Sequence, residues 1–493
     1  MALHVGRPCT EFRRAESERV LRAQPFIADA VVRVMADTGT GVIAIVETTD
    51  EIPVLIGGSF SGVVPNALTL GNGNIGGEGL RIQAAWERGR AYRTGYGARL
   101  VEYAAFNHPY VLSIEGYQHR QGYGAAIDMG HPFFTDLQRI SWHVGALSVE
   151  DFQGIARPAR DQLALRQQQQ RWDVSGILRI FGTKTVGLLG GATTGLRSDP
   201  AREGIIVSDS GFMPDTGVAL RDRYRLFKTT RVGAIVGLRH VDYVTVVGFD
   251  ALAATQDVPK GVQSALFIAR GLGNAGESDF FLSGATYAGV ASTRIWLANV
   301  AEVEGRRDLS TGDVNSIVGS TRTALYLAGP GRVLILADEF SGGYHSVLPI
   351  QLSFADRLGG LRGYRNTAVA GAARNIARAE ARWSATGFLK RSDVGVAAFG
   401  EVGSLWKGDV PYGWTGTRTS VGIGLLAAYP SKSKRLYRVD LAFPLVTEGI
   451  GGGRIELRFG STDATNRFWE EPLDVARART GTAPSALFAW PSR

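Results

Sequence analysis

Charges of both signs recur at every second position in one strand-length segment after another, and this pattern constrains the chain more than any other feature. In 374–383, RNIARAEARW, Arg374, Arg378, Glu380 and Arg382 share one side, opposite Ala377, Ala379, Ala381 and Trp383. In 436–445, LYRVDLAFPL, Tyr437, Val439, Leu441, Phe443 and Leu445 oppose Arg438 and Asp440. In 453–460, GRIELRFG, Ile455, Leu457 and Phe459 oppose Arg454, Glu456 and Arg458. A soluble sandwich also alternates, with its polar face in water. These segments, however, run to roughly 9–14 residues, beyond the ordinary strand of about 5–6 and close to a membrane-spanning one. Apolar faces then meet lipid and ion-paired faces line a lumen. In hydrocarbon every backbone donor needs a partner, and a closed barrel is the one sheet without an edge. The expected fold class is therefore all-β, a transmembrane antiparallel β-barrel. More than sixteen segments alternate in this way, some of them read as halves of one bent strand.

Composition narrows the function classes. The 493 residues include 64 glycines and 18 prolines without a Gly-X-Y period, which suits turns and closely approaching strands. The net charge is +8, but the arginines are dispersed and not gathered into a patch, which argues against a nucleic-acid partner. Cys9 is the single cysteine, so the chain can form no internal disulfide and no cysteine cage. His4, His108, His119, His131, His143, His240 and His345 show neither an HExxH spacing nor an i, i+4 pair, so no metal is expected. There is no apolar run of transmembrane-helix length. The first residues lack the apolar core of a secretory signal, so either the protein stays inside the cell or its natural start lies upstream.

Motifs for chemistry are weak. Gly71, Gly73 and Gly76 carry the spacing of a dinucleotide loop, but a strand-like run follows where that loop needs a helix. Glu302 and Glu304 could serve acid–base work, yet two carboxylates on one face of a strand read equally as lumenal charges. There is no G-x-S-x-G elbow and no P-loop. No catalytic residue, cofactor or metal is expected, and the chain reads as a non-enzyme. Residues 10–51 differ from the rest: a helix capped by Thr10 and ending before Pro25, then two short strands.

GGLRGYRN, at 359–366, could be a phosphate cradle, a tight turn or a tip folded into a cavity. DVGVAAFGEVGSLW, at 393–406, favours the last. Phe399, Glu401 and Gly403 fall on the face opposite Val396, Ala398 and Val402, so Glu401 is a lumenal carboxylate without a cation. Arg362 on an infolded loop would supply it, a charge-assisted pair. Gly363 would give the turn, and Tyr364 would pack on the wall with its hydroxyl free to bond.

The stretch LGGLRGYRNTAVAGAARNIARAEARW resembles the (V/L)RG(Y/F) loop and following strand of the BamA/TamA family, the bacterial surface antigen superfamily. Phe399-Gly400-Glu401-Val402-Gly403 is similar to the family's F-x-D-x-G, with glutamate in place of aspartate. VGIGLLA and YRVDLAFPL are similar to its last strands, GNGNIGGEGLRI to its barrel entry, and QDVPKG to its mid-barrel segment. The resemblance implies a sixteen-stranded barrel in the bacterial outer membrane, whose sixth outer loop folds inward and meets the acid through its arginine. Domains are then expected at 1–52 (a partial POTRA-like α+β unit), 53–460 (the barrel) and 461–493 (a tail, either periplasmic or plugging the barrel seam). The implied function is to assist insertion or translocation of polypeptides. The partners would be outer-membrane lipid, unfolded or partly folded clients and periplasmic accessory proteins. A passive pore or anchor barrel of the same superfamily is the alternative.

Overall fold

The computed structural model describes residues 3, 6, 8–37, 39, 41–61, 64–88, 94–119, 122–157, 162–182, 184–208, 211–355, 359–364, 368–389, 391–449, 452–463, 469, 471–481 and 484–488. Twenty antiparallel strands, from Val54–Ser61 to Glu456–Asp463, close into one barrel. The hairpin Ile205–Ser208/Gly211–Pro214 extends the wall beyond strand Gln162–Phe181. The expectation of sixteen strands is corrected to twenty. RVGAIVGL and YVTVVGF do fall within one strand, Phe227–Val247, but the other alternating segments are separate strands. Two more, Val54–Ser61 and Val64–Ile75, have no ionisable side chain on either face and so lack the charged alternation. Gly71 and Gly73 lie inside the second of these. The turn that follows has Gly76, Gly77 and Gly79 at φ of 66°, 81° and 75°, where a Cβ would be strained.

Side-chain parity follows the alternation. Along Arg435–Pro444, Arg438 and Asp440 are buried while Val439 is 42% exposed. Along Ser392–Trp406, Phe399, Glu401 and Gly403 are buried, whereas Val396 and Val402 face outward. An apolar exterior over an ion-paired interior is the pattern of a transmembrane barrel.

Wall strands alternate between a near end, which receives the N-terminal unit, and a far end. At the near end, helix α1 (Glu11–Arg22) is capped by Thr10 and packs on β1 (Ile27–Ala36), which pairs with β2 (Val42–Asp50). This unit is a helix on a two-stranded sheet, without the further elements of a full POTRA module among the described residues. It is docked on the barrel. Arg22 Nε lies 2.8 Å from Asp257 Oδ2, and Arg19 donates to the Phe134 carbonyl. Glu51 accepts from Ser433 Oγ at 2.5 Å and from the Lys434 N–H at 2.8 Å. Neither described residue 469 nor the described residues of 471–488 lie below the barrel or at its seam. They fill the lumen, with Trp469, Val475, Leu487 and Phe488 almost wholly buried.

Candidate functional site

The connection between strands Arg332–Tyr344 and Ala373–Leu389 is the eighth of ten at the far end, not the sixth, because twenty strands form the wall. It folds inward because its apolar side chains have somewhere dry to go. Ile350, Leu352, Phe354, Leu361, Tyr364 and Val369 are each at most 2% exposed. A short pairing of Leu352–Ser353 with Ala370–Gly371 closes its neck. Within it the backbone doubles back, with the Gly360 N–H donating to the Ala355 carbonyl and the Leu361 N–H to the Phe354 carbonyl, both at 3.0 Å. Gly359 stands at φ 90°, and a Cβ on Gly360 would run into the Phe354 backbone. Arg378 from the wall grips this turn, donating to the Gly359 carbonyl at 2.7 Å and the Gly360 carbonyl at 3.0 Å.

The turn delivers Arg362 into a ring of wall carboxylates. Its Nε donates to Glu401 Oε1 at 2.8 Å, and its backbone N–H to Glu401 Oε2 at 2.8 Å. Nη1 reaches Asp440 Oδ2 at 3.2 Å and Nη2 reaches Glu380 Oε2 at 3.3 Å. The guanidinium carbon lies 3.2 Å from the centroid of the Phe399 ring, so the cation also rests on an aromatic face. Gly363, at φ 85°, donates its N–H to Glu456 Oε2 at 3.2 Å. Tyr364 donates its hydroxyl to the Thr419 carbonyl at 3.0 Å and accepts from the Val446 N–H at 3.3 Å. A side chain on Gly403 would meet Phe354 at 2.8 Å, so this glycine makes the room in which the loop packs.

Arg362, Gly363, Tyr364, Phe399, Glu401 and Gly403 therefore converge in one place. The sequence reading did not assign Glu380, Asp440 and Glu456 to this cluster. The signal for them was their inward parity on strands that stand within three places of Glu401's strand around the wall. The cluster continues along the lumen. Arg438 holds Glu380 at 2.9 Å and Asp440 at 2.8 Å, and Arg382 holds Glu380 at 2.6 Å. Glu380, Glu401 and Asp440 each have a cation, the condition under which charge can stay buried. Glu302 and Glu304 also face inward and do no acid–base pairing with each other. They lie 3.6 and 3.7 Å from Arg479 of the lumenal segment. Nothing in the cluster is arranged as a nucleophile with a base. Among the described residues there is no group of ligands suited to a metal ion.

No protein-family model and no curated protein matches the chain. Among solved structures, similarity is found to BamA from Haemophilus ducreyi lacking POTRA domains 1–3, with 12% identity, 91% of this chain and 77% of that chain covered, and a TM-score of 0.36. CdiB from Escherichia coli is similar at 13% identity over 91% of this chain and 69% of its own, with a TM-score of 0.40. BauA, the ferric preacinetobactin receptor from Acinetobacter baumannii, is similar at 10% identity over 85% and 82% respectively, with a TM-score of 0.38.

Proposed function

We propose that this chain is a bacterial outer-membrane barrel that assists insertion or translocation of polypeptides. The observation that carries the reading is Arg362, presented by an inward loop to carboxylates from three wall strands. A cation so fully matched holds a long loop in one place and keeps one lumen shape without any reaction to catalyse. Two further features fit an unfolded client. The edges of the β1–β2 sheet pair with no other strand among the described residues, and Val42, Ile43, Ile45 and Val46 on β2 are exposed, a surface suited to strand addition. The unit carrying them, residues 1–52, then acts as a partial POTRA-like module on the periplasmic side, where accessory proteins would also dock. The seam is also brief: among the described residues Leu457–Gly460 alone pairs with Gly57–Phe60, so client strands could template there. The filled lumen counts against the passive-pore alternative.

The test is reconstitution into lipid vesicles, following the folding of a urea-denatured barrel client by heat-modified electrophoretic mobility. Acceleration by the native chain, lost with Arg362→Ala, is expected. No acceleration by the native chain overturns the proposal.

A further inference from the structure

The described residues of 469–488 form a bent strap in the lumen. Trp469 packs with its ring centroid 5.2 Å from that of Trp296. Helix α2 (Leu473–Ala478) rises beside the Arg362 loop, where Pro472 borders Gly359. The chain then returns to Leu487 and Phe488 at the near end. Some anchors use side chains: Asp474 lies 3.0 Å from Arg374, and Glu471, paired with Arg479 within the strap at 2.5 Å, accepts from Ser320 Oγ at 2.9 Å.

Arg479, facing Glu302 and Glu304, and the Thr480 hydroxyl, which donates to Glu304 Oε1 at 2.9 Å, also anchor through side chains; further anchors address the main chain. The Thr480 N–H donates to Glu304 Oε1 at 2.5 Å, and its carbonyl accepts from Arg231 Nη1 at 2.8 Å. The Arg479 carbonyl accepts from Arg171. The Leu487 carbonyl accepts from Ser141 Oγ at 2.7 Å and from the Phe133 N–H at 3.0 Å, and Phe133 forms a parallel bridge with Phe488. Those wall groups bind amides and carbonyls that every polypeptide has.

The wall does not depend on the strap. Every wall strand has its two neighbours without it. Were the strap to leave, Arg231 would keep Asp279 at 2.6 Å and Arg374 would keep Glu339 at 2.9 Å. Departure therefore strands neither arginine, and Glu302 would keep Arg322 at 3.8 Å; Glu304, which pairs with Arg479 at 3.7 Å, is the buried charge that an incoming chain must satisfy.

We infer that this lumenal track, lined by Ser141, Arg171, Arg231, Glu304 and Phe133, is a binding site for a polypeptide segment read in part through its backbone. The described residues of 469–488 occupy it in cis, and a chain in trans displaces them. The partner class rests on the proposed handling of polypeptides; the track itself rests on these contacts.

The test uses the full chain in detergent with Cys9→Ser. Ser141→Cys with Leu487→Cys supplies a disulfide lock, and Thr480→Pro in a separate variant removes the donor to Glu304. The probe is a fluorescein-labelled synthetic peptide of the sequence 469–488, followed by anisotropy. Saturable binding is expected to the unlocked chain, at least tenfold weaker to the oxidised lock, and restored by reduction. Thr480→Pro should bind it several-fold more tightly, and a peptide N-methylated at the Thr480 position should bind at least tenfold more weakly. Equal binding to locked and reduced chains overturns the inference. So does binding unaltered by both Thr480→Pro and N-methylation. Peptide exchange in a chain without insertion activity keeps the track and removes the assembly reading. Insertion activity without any exchange does the reverse.

Discussion

Replacing Arg362 by alanine tests the lumenal clamp most directly, because its three carboxylates are not equally dependent on it. Glu380 keeps Arg438 and Arg382, and Asp440 keeps Arg438. Glu401 keeps Arg378, whose Nε is 3.8 Å away, and the backbone N–H of residue 362 if the loop stays in place. Removing one partner of a buried pair costs about 3–5 kcal/mol, most of it from the charge left behind. The surviving N–H places Arg362→Ala near the lower end. Glu401→Gln should cost less, about 1.5–3 kcal/mol, the range for a hydrogen bond to a charged group, since Arg362 retains Asp440 and Glu380. Arg362→Lys should recover under half of the alanine loss, because a point charge can neither fork between acceptors nor stack on Phe399. Equilibrium urea unfolding in detergent micelles, read by tryptophan fluorescence, measures all three. Glu401→Gln costing more than Arg362→Ala refutes the reasoning. So does an Arg362→Ala effect within about 0.5 kcal/mol of native, the size expected of an ordinary surface change.

Three further outcomes are expected from the same measurement. Val439→Arg, on the outward face mid-strand, should lose about 2–4 kcal/mol in a bilayer or micelle, and an effect near zero would place that face away from lipid. Gly363→Ala should lose about 1–3 kcal/mol, since φ is 85° and the new Cβ would lie 2.9 Å from the Pro444 ring; native stability would show that the turn can relax. Burial lifts the Asp250 carboxyl, in the turn after Phe227–Val247, to about 7 against the pull of Arg382. With its folded pKa above its unfolded value, Asp250 contributes stability that is complete below about 4 and fades as pH rises through about 7. Asp250→Asn should therefore flatten the stability profile between about pH 4 and 7, and an unchanged slope there assigns the dependence to another group.

Much of the candidate site was legible before any fold was known. The inward parity of Glu401 and Phe399 is a period-two property of one short run. Gly359, Gly360 and Gly363 around Arg362 signal a chain that must turn where side chains cannot fit, and the structure uses all three in that way. Glu380, Asp440 and Glu456 had the right parity, but parity does not say which strands adjoin or at what height two charges meet. Register decides that, through pairs such as Arg378 opposite Glu401 and Gly424 opposite Asp440. The lumenal strap was the least legible part. Its sequence does not alternate, and its partners lie hundreds of positions away, as Ser141 does from Leu487.

The sequence by itself determined which side of each charged, alternating strand faces outward, where helix α1 starts, and that an arginine would seek a carboxylate inside a barrel. These are local properties, set by the strand period, a capping residue and the cost of an unpaired charge. Only the tertiary structure decided that twenty strands close, that the arginine serves three carboxylates, and that the described residues of 469–488 lie within. Closure depends on the tilt and stagger of all the strands together, and a wall of that size encloses a lumen wider than facing side chains can fill. The inward loop and the strap occupy that space because packing and pairing inside it return more free energy than leaving their apolar and charged groups in water.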